Sequence, residues 1–128
     1  MGQEVEARCL DCGASFAVCH GGGMFFHLVR CNECGDTKSI SFDELGEIHQ
    51  RYVKGLSKPY STASSEDDEE IQKLASLEPI SETEYLNAIE STAGKCKCGG
   101  NYTLSAPPRC PKCHSTRLKE GDIIMMYD

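Results

Sequence analysis

Eight of the nine cysteines fall into four close pairs, Cys9/Cys12, Cys31/Cys34, Cys96/Cys98 and Cys110/Cys113, and only Cys19 stands apart. Two thiolates with two residues between them can face one ion because the intervening backbone turns, and a glycine after the second cysteine permits the left-handed conformation that aims amide N–H groups at sulfur. Gly13, Gly35 and Gly99 occupy that place. With 39% apolar residues and no tryptophan in 128 residues, the chain is too poor in apolar side chains for one conventional core. Cross-links between short segments have to supply the difference.

The cross-links are read as metal–thiolate bonds. Met1 to Arg8 lacks the apolar run of a signal peptide, and the longest apolar stretches, 24–29 and 123–127, are far shorter than a membrane span of roughly 20 residues. A cytoplasmic location is therefore expected, and in a reducing compartment paired cysteines serve as metal ligands more often than as disulfides. Four thiolates suit zinc or iron, and closed four-ligand zinc sites are usually structural. Two zinc ions per chain are expected. Eighteen residues separate Cys12 from Cys31 and eleven separate Cys98 from Cys110, spans that suit a two-stranded excursion. On that spacing Cys9, Cys12, Cys31 and Cys34 enclose one ion, and Cys96, Cys98, Cys110 and Cys113 the other.

Charge divides the chain into three parts. Residues 1–55 carry five Lys/Arg against eight Asp/Glu, residues 56–93 two against nine, and residues 94–128 six against three. The expected organisation follows these divisions: a first metal module with a helix over 1–55, an acidic linker and second helix over 56–93, and a second metal module over 94–128. In the first part, Gly21-Gly22-Gly23 reads as a hairpin turn between two strand-like runs, and residues 38–42 alternate as a half-buried strand. Ser41 with Glu44, stapled by Ile40 and Leu45, announces a helix running to about Lys54, whose apolar face is Leu45, Ile48, Tyr52 and Val53, with His49 turned to solvent. Glu66 to Glu70 reads as solvated linker, with Ile71, Leu74 and Leu77 forming a short amphipathic helix after it. A second capping box, Ser81 with Glu84, starts a helix that Gly94 closes. Residues 123–127 form a last strand, pairing with 102–104 or with a neighbour. His114 holds the place taken by glycine in the other knuckles, where it can shield or hydrogen-bond the thiolates.

Over residues 9–42 and 96–127 the sequence resembles the zinc-ribbon (rubredoxin-like) superfamily, in which two knuckles at hairpin tips clamp one zinc ion. Cys110-Pro-Lys-Cys113 is nearest to that pattern, while Cys96-Lys-Cys98 is one residue short, which argues against the iron-binding rubredoxin branch. The resemblance implies two divergent copies in a small metal-stabilised α+β fold, two β-hairpin modules joined by helices and an acidic linker.

Closed four-sulfur sites leave no coordination position for a catalytic water, so a non-catalytic protein is expected. The leading reading is a protein-interaction or adaptor module whose partner and oligomeric state the sequence does not specify. The alternative is a nucleic-acid-binding zinc-ribbon protein, for which only Lys95, Lys97, Arg109, Lys112, Arg117 and Lys119 offer a basic surface. Each zinc tetrathiolate carries about −2, taking the chain from −7 to about −11, so nucleic-acid binding is expected to be weak or absent.

Overall fold

The structure is a computed structural model that describes residues 2–23, 25–56, 59–60 and 65–127. Strand β1 (Gly2–Cys9) places Val5, Ala7 and Cys9 on one face by its two-residue alternation, and all three are buried. It turns through the first cysteine knuckle into β2 (Ser15–His20), its antiparallel neighbour, with Val5 opposite Val18. Beyond the glycines the chain changes sheets. β3 (Phe26–Cys31) turns through the second knuckle into β4 (Thr37–Ser41), again antiparallel, with His27 opposite Ile40. Gly21 to Gly23 thus lead from one sheet to the other rather than closing a hairpin, because β2 and β3 each take a different partner.

The Ser41 capping box forms as expected, with the serine side chain accepting from the Glu44 amide and the glutamate accepting from Ser41 N–H. The helix it starts is interrupted. α1 (Phe42–Leu45) stops at Gly46, whose φ of 57° departs from the helical region, and α2 (Glu47–Lys54) continues to Gly55. Leu45, His49 and Val53, spaced by four, face inward. His49 is therefore buried instead of solvent-facing, and the apolar residues four before and four after it were the signal in the sequence. Its Nδ1 lies 2.6 Å from the Tyr85 hydroxyl, which also meets His27 Nε2 at 2.8 Å. The rings of Phe42 and His49 stack at 4.0 Å, those of Tyr52 and Tyr85 at 4.1 Å, and Tyr60 stands edge-on to His49.

Of the expected linker, residues 57, 58 and 61–64 lie outside the described residues. The acidic run itself is helical: α3 (Ser65–Gln72) packs against α2, where Lys54 Nζ donates to the Gln72 carbonyl. Acidic residues in a first turn suit the helix dipole, and Asp68, buried, accepts from the Tyr60 amide. This is why the helix forms inside the run rather than after it, leaving Leu74 beyond its end and exposed. α4 (Glu82–Ala93) begins at the expected Ser81 box and ends at Gly94, φ 73°. It lays Tyr85, Ile89 and Ala93 against Val29, Ile40 and Leu45, forming the larger core.

Two late strands complete the sheets. β5 (Tyr102–Thr103) adds to β3, giving the order β4-β3-β5, and β6 (Leu118–Tyr127) adds antiparallel to β1, giving β2-β1-β6. The last strand was expected against 102–104 or a neighbour and instead pairs with 2–9. The smaller core between β1 and β2 holds only Val5, Ala7 and Val18, with Phe16 and Leu118 at its margin. The whole is a small α+β fold of two three-stranded antiparallel sheets and four helices among the described residues.

Burial holds His27 down to about 4, with the charge of His49 adding to it, and burial lowers His49 against the opposing charge of Asp68. Both imidazoles are accordingly neutral at pH 7. A group depressed in the folded state stabilises the fold above its unfolded value, near 6.5, and loses that contribution as pH falls towards 4. NMR titration of the imidazole signals should give His27 a midpoint near 4, and an ordinary midpoint near 6.5 would show that its burial beside His49 does not persist in solution.

Candidate metal centres

The four knuckles share one backbone device. In three of them the residue after the second cysteine is glycine with positive φ, 78° at Gly13, 79° at Gly35 and 94° at Gly99, and its amide returns to the carbonyl of the first cysteine. His114 adopts φ 62° in the fourth, the only positive φ at a non-glycine among the described residues, and makes the same bond to Cys110. Amides also point at sulfur: Cys12 N–H at Cys9, Glu33 N–H at Cys31, Gly100 N–H at Cys98 and Lys112 N–H at Cys110, each 3.4 Å from N to Sγ. Gly100 has a second reason to be glycine, since a Cβ there would lie 2.7 Å from Cys31 Sγ.

All eight paired cysteines come together in fours, but the grouping differs from the one expected. Cys9 and Cys12 join Cys110 and Cys113, while Cys31 and Cys34 join Cys96 and Cys98. Sheet pairing imposes this arrangement. Cys9 and Cys12 lie at the turn between β1 and β2, and the strand that adds to β1 is β6, which follows Cys110 and Cys113. Cys31 and Cys34 lie between β3 and β4, and the strand that adds to β3 is β5, which follows Cys96 and Cys98. One four-cysteine unit is thus nested inside the other. Loop spacing could not reveal it, because a span long enough for a local excursion is equally long enough to pass to another sheet.

Within each group the ligand atoms lie within 4.8 Å of one another. Cys9 and Cys113 sulfurs are 3.5 Å apart, Cys12 and Cys110 3.5 Å, Cys31 and Cys98 3.4 Å, and Cys34 and Cys96 3.6 Å. A tetrahedron of thiolates bonded to zinc at ~2.3 Å has sulfur–sulfur edges of about 3.8 Å, so four sulfurs at this spacing enclose room for one ion. A disulfide requires about 2.05 Å, which excludes bridges between these pairs. The sulfurs of the second centre do not share one protonation preference. The Cys98 amide is the main influence that brings Cys96 down to about 6. The Asp36 amide favours the Cys34 thiolate, but burial and the surrounding thiols override it and push Cys34 up to about 12. Four adjacent sulfurs ionise together only when a positive ion among them offsets their repulsion.

Residues outside the pairs tie the knuckles together. Arg117 donates to Asp11 Oδ1 at 2.6 Å and Ser115 Oγ donates to Asp11 Oδ2, joining the tips of the first and fourth knuckles. Asn101 N–H donates to Asn32 Oδ1 at 3.1 Å, joining the second and third. Between the two centres, Arg109 donates to the carbonyls of Asn32 and His114, and Arg30 donates to those of Cys19 and Ala106. Neither arginine has a carboxylate partner among the described residues; Arg30 binds from β3 to β2, and Arg109 binds between the second knuckle and the fourth. These roles left no mark in the sequence, since Asp11 and Ser115 are 104 residues apart. Cys19 belongs to neither centre.

Residues 5–119 match the family described as Domain of unknown function (DUF8255), and the chain belongs to it. No curated protein and no solved structure matches the chain. Among the described residues, no helix is long and apolar enough to cross a membrane.

Nesting predicts how the fold divides when a ligand is lost. In a metal-loaded chain, replacing Cys110 by Ser should break the four-sulfur set and release the β2-β1-β6 sheet, whose buried Val5, Ala7 and Val18 contribute about 2 kcal/mol each at most, against on the order of 10 kcal/mol that a structural metal site can supply. The sheet containing β3, packed on α4, should persist. NMR should then show residues 2–20 and 118–127 losing dispersion together. Loss confined to 94–128 would mean that each ion is enclosed within its own half of the chain.

Proposed function

We propose that the protein is a non-catalytic, zinc-stabilised interaction module of two nested zinc ribbons, working in the cytoplasm. The observation that carries the metal reading is the convergence of eight cysteines into two sets of four sulfurs, with no nitrogen or oxygen ligand among them. Soft, four-thiolate donor sets favour zinc over hard cations, and their closed tetrahedra act as cross-links rather than as sites for an activated water. The residues that would hold the ions are Cys9, Cys12, Cys110 and Cys113 at one centre and Cys31, Cys34, Cys96 and Cys98 at the other. In each, zinc would neutralise the sulfur charge and fix two knuckles that are distant in sequence.

The interaction reading is supported by β6. It is the outer strand of its sheet, so among the described residues one line of its backbone N–H and C=O groups has no strand partner. Its Ile123, Ile124, Met125 and Met126 are each more than half exposed. An apolar strand with a free edge suits addition of an extended segment from a protein partner, where backbone hydrogen bonds and alternating side chains bind together.

The basic side chains support the nucleic-acid alternative less well. Arg117 is paired with Asp11 and Arg109 with backbone carbonyls, which leaves the scattered lysines of an acidic protein to meet phosphate. Elemental analysis should find two zinc ions per chain. Titration with labelled DNA and RNA at physiological ionic strength should show binding that is weak and lost at moderate salt. Mostly iron after aerobic purification would overturn the zinc reading, and sub-micromolar nucleic-acid affinity would replace the interaction reading with its alternative.

A further inference from the structure

Between Thr103, where β5 ends, and Leu118, where β6 begins, the chain forms no helix or strand, yet this stretch carries Cys110 and Cys113. An irregular segment loses conformational entropy when its residues are fixed, and nothing in its own backbone ladder offsets that loss. The contacts that place it come partly from the other centre.

Arg109, half-buried and next in the chain to Cys110, donates from Nε to the Asn32 carbonyl at 3.2 Å and from Nη1 to the His114 carbonyl at 2.8 Å. Asn32 lies between Cys31 and Cys34 in the second knuckle. Its N–H donates to the Asn101 carbonyl at 2.9 Å and its Oδ1 accepts from Asn101 N–H at 3.1 Å, so the third knuckle holds it as well. His114 closes the fourth knuckle, its N–H donating to the Cys110 carbonyl.

One guanidinium thus joins a carbonyl placed by the second centre to a carbonyl placed by the first. The rigid, planar fork of arginine suits it to hold two acceptors at a fixed separation. The two knuckles also pack closely beside it, since a Cβ on Gly35, the last residue of the second knuckle, would lie 2.8 Å from Arg109 Cβ and 3.1 Å from its N. Among the described residues, Arg109 is the one side chain whose hydrogen bonds reach a knuckle of each centre. Arg30 reaches Cys19 and Ala106, and neither belongs to a knuckle.

We propose that Arg109 couples the two centres, so that filling one with a metal ion raises the affinity of the other about tenfold. The inference rests on the metal occupancy proposed above and adds a regulation of the same sites, in which the two ions enter and leave together. An ion at the second centre would fix the second and third knuckles, and Asn32 with them. The Arg109 fork, held by that carbonyl, would then set Cys110 and His114 in place, and the next ion would bind a knuckle already ordered. Linkage requires the same factor when the first centre fills first. Charge works in the other direction, because each filled tetrathiolate would carry about −2 and the two would repel. Arg109 offsets that repulsion by its charge and supplies the ordering by its fork. Substitution separates the two contributions.

The test uses the full chain and reads zinc affinity by competition with a chromophoric chelator. Cys12→Ser/Cys113→Ser keeps only the second centre and Cys34→Ser/Cys98→Ser only the first, and both leave the buried sulfurs of each set untouched. The affinity of the wild-type chain for two ions, divided by the product of the two single-centre affinities, should be about 10. A quotient of about 1 or below would overturn the coupling and leave two-ion occupancy standing, whereas a wild-type chain that takes up no zinc would overturn both. The cycle is then repeated with Arg109→Lys, which keeps the charge without the fork, and with Arg109→Gln, which keeps an N–H donor without the charge. In each the quotient should fall to about 1. A tenfold quotient surviving in Arg109→Lys would assign the coupling to charge alone, and one surviving in Arg109→Gln would place it elsewhere in the chain, and either result would overturn the bridging role. The wild-type quotient decides the coupling by itself, and two replacements of different chemistry keep the role of Arg109 open to refutation if one of them does not fold.

Discussion

Sulfur-to-sulfur contact across the length of the chain is what the rest of the structure depends on. Cys12 meets Cys110 and Cys9 meets Cys113 only if the first strand and the last are neighbours, and Cys31 meets Cys98 only if the middle strands close inside them. Closing loops of this length costs conformational entropy before any packing offsets it. A metal ion held by four thiolates would provide a local, strong and directional return for that cost. The apolar interior could not do so alone, since beneath β1 and β2 it amounts to two valines and an alanine.

The two sheets solve the same problem by unequal means. The one built on β3 has a second support, because α1, α2 and α4 cover it with Leu45, Tyr85, Ile89 and Ala93, and the Tyr85 hydroxyl partners the buried His49 and the half-buried His27. The one built on β1 has no comparable helix cover among the described residues and leans on its centre and on the Asp11, Ser115 and Arg117 bonds. Arg30 and Arg109 connect the two. Arg30 reaches the Cys19 carbonyl of the other sheet, and Arg109, beside Cys110, reaches the Asn32 carbonyl in the other centre's knuckle as well as that of His114 in its own, near centres where eight cysteine sulfurs gather. Positive charge placed between two such clusters reduces their mutual repulsion while its hydrogen bonds fix their spacing.

Much of the local structure was legible. Ser41 with Glu44 and Ser81 with Glu84 mark helix starts because a capping box is a reciprocal bond among four consecutive residues. Gly13, Gly35 and Gly99 mark knuckles because only glycine takes a positive φ without strain. The errors have equally physical causes. In β1 the alternation of Val5, Ala7 and Cys9 is masked in the sequence by the polar residues around them. At His49 a polar side chain suggests a solvent-facing position, while Leu45 and Val53, four residues to either side, set the buried face.

The sequence by itself determined that eight cysteines would act in pairs, where helices begin, and that the donors gathered would be soft sulfurs able to hold a metal ion. These are properties of neighbouring residues, carried by turn geometry and by the chemistry of sulfur. Which pair meets which was decided only in the tertiary structure. Each knuckle is chemically able to accept any of the other three, and the choice follows from hydrogen-bonded strand registers, Val5 opposite Ile123 and Cys31 opposite Tyr102, that join residues far apart in the chain.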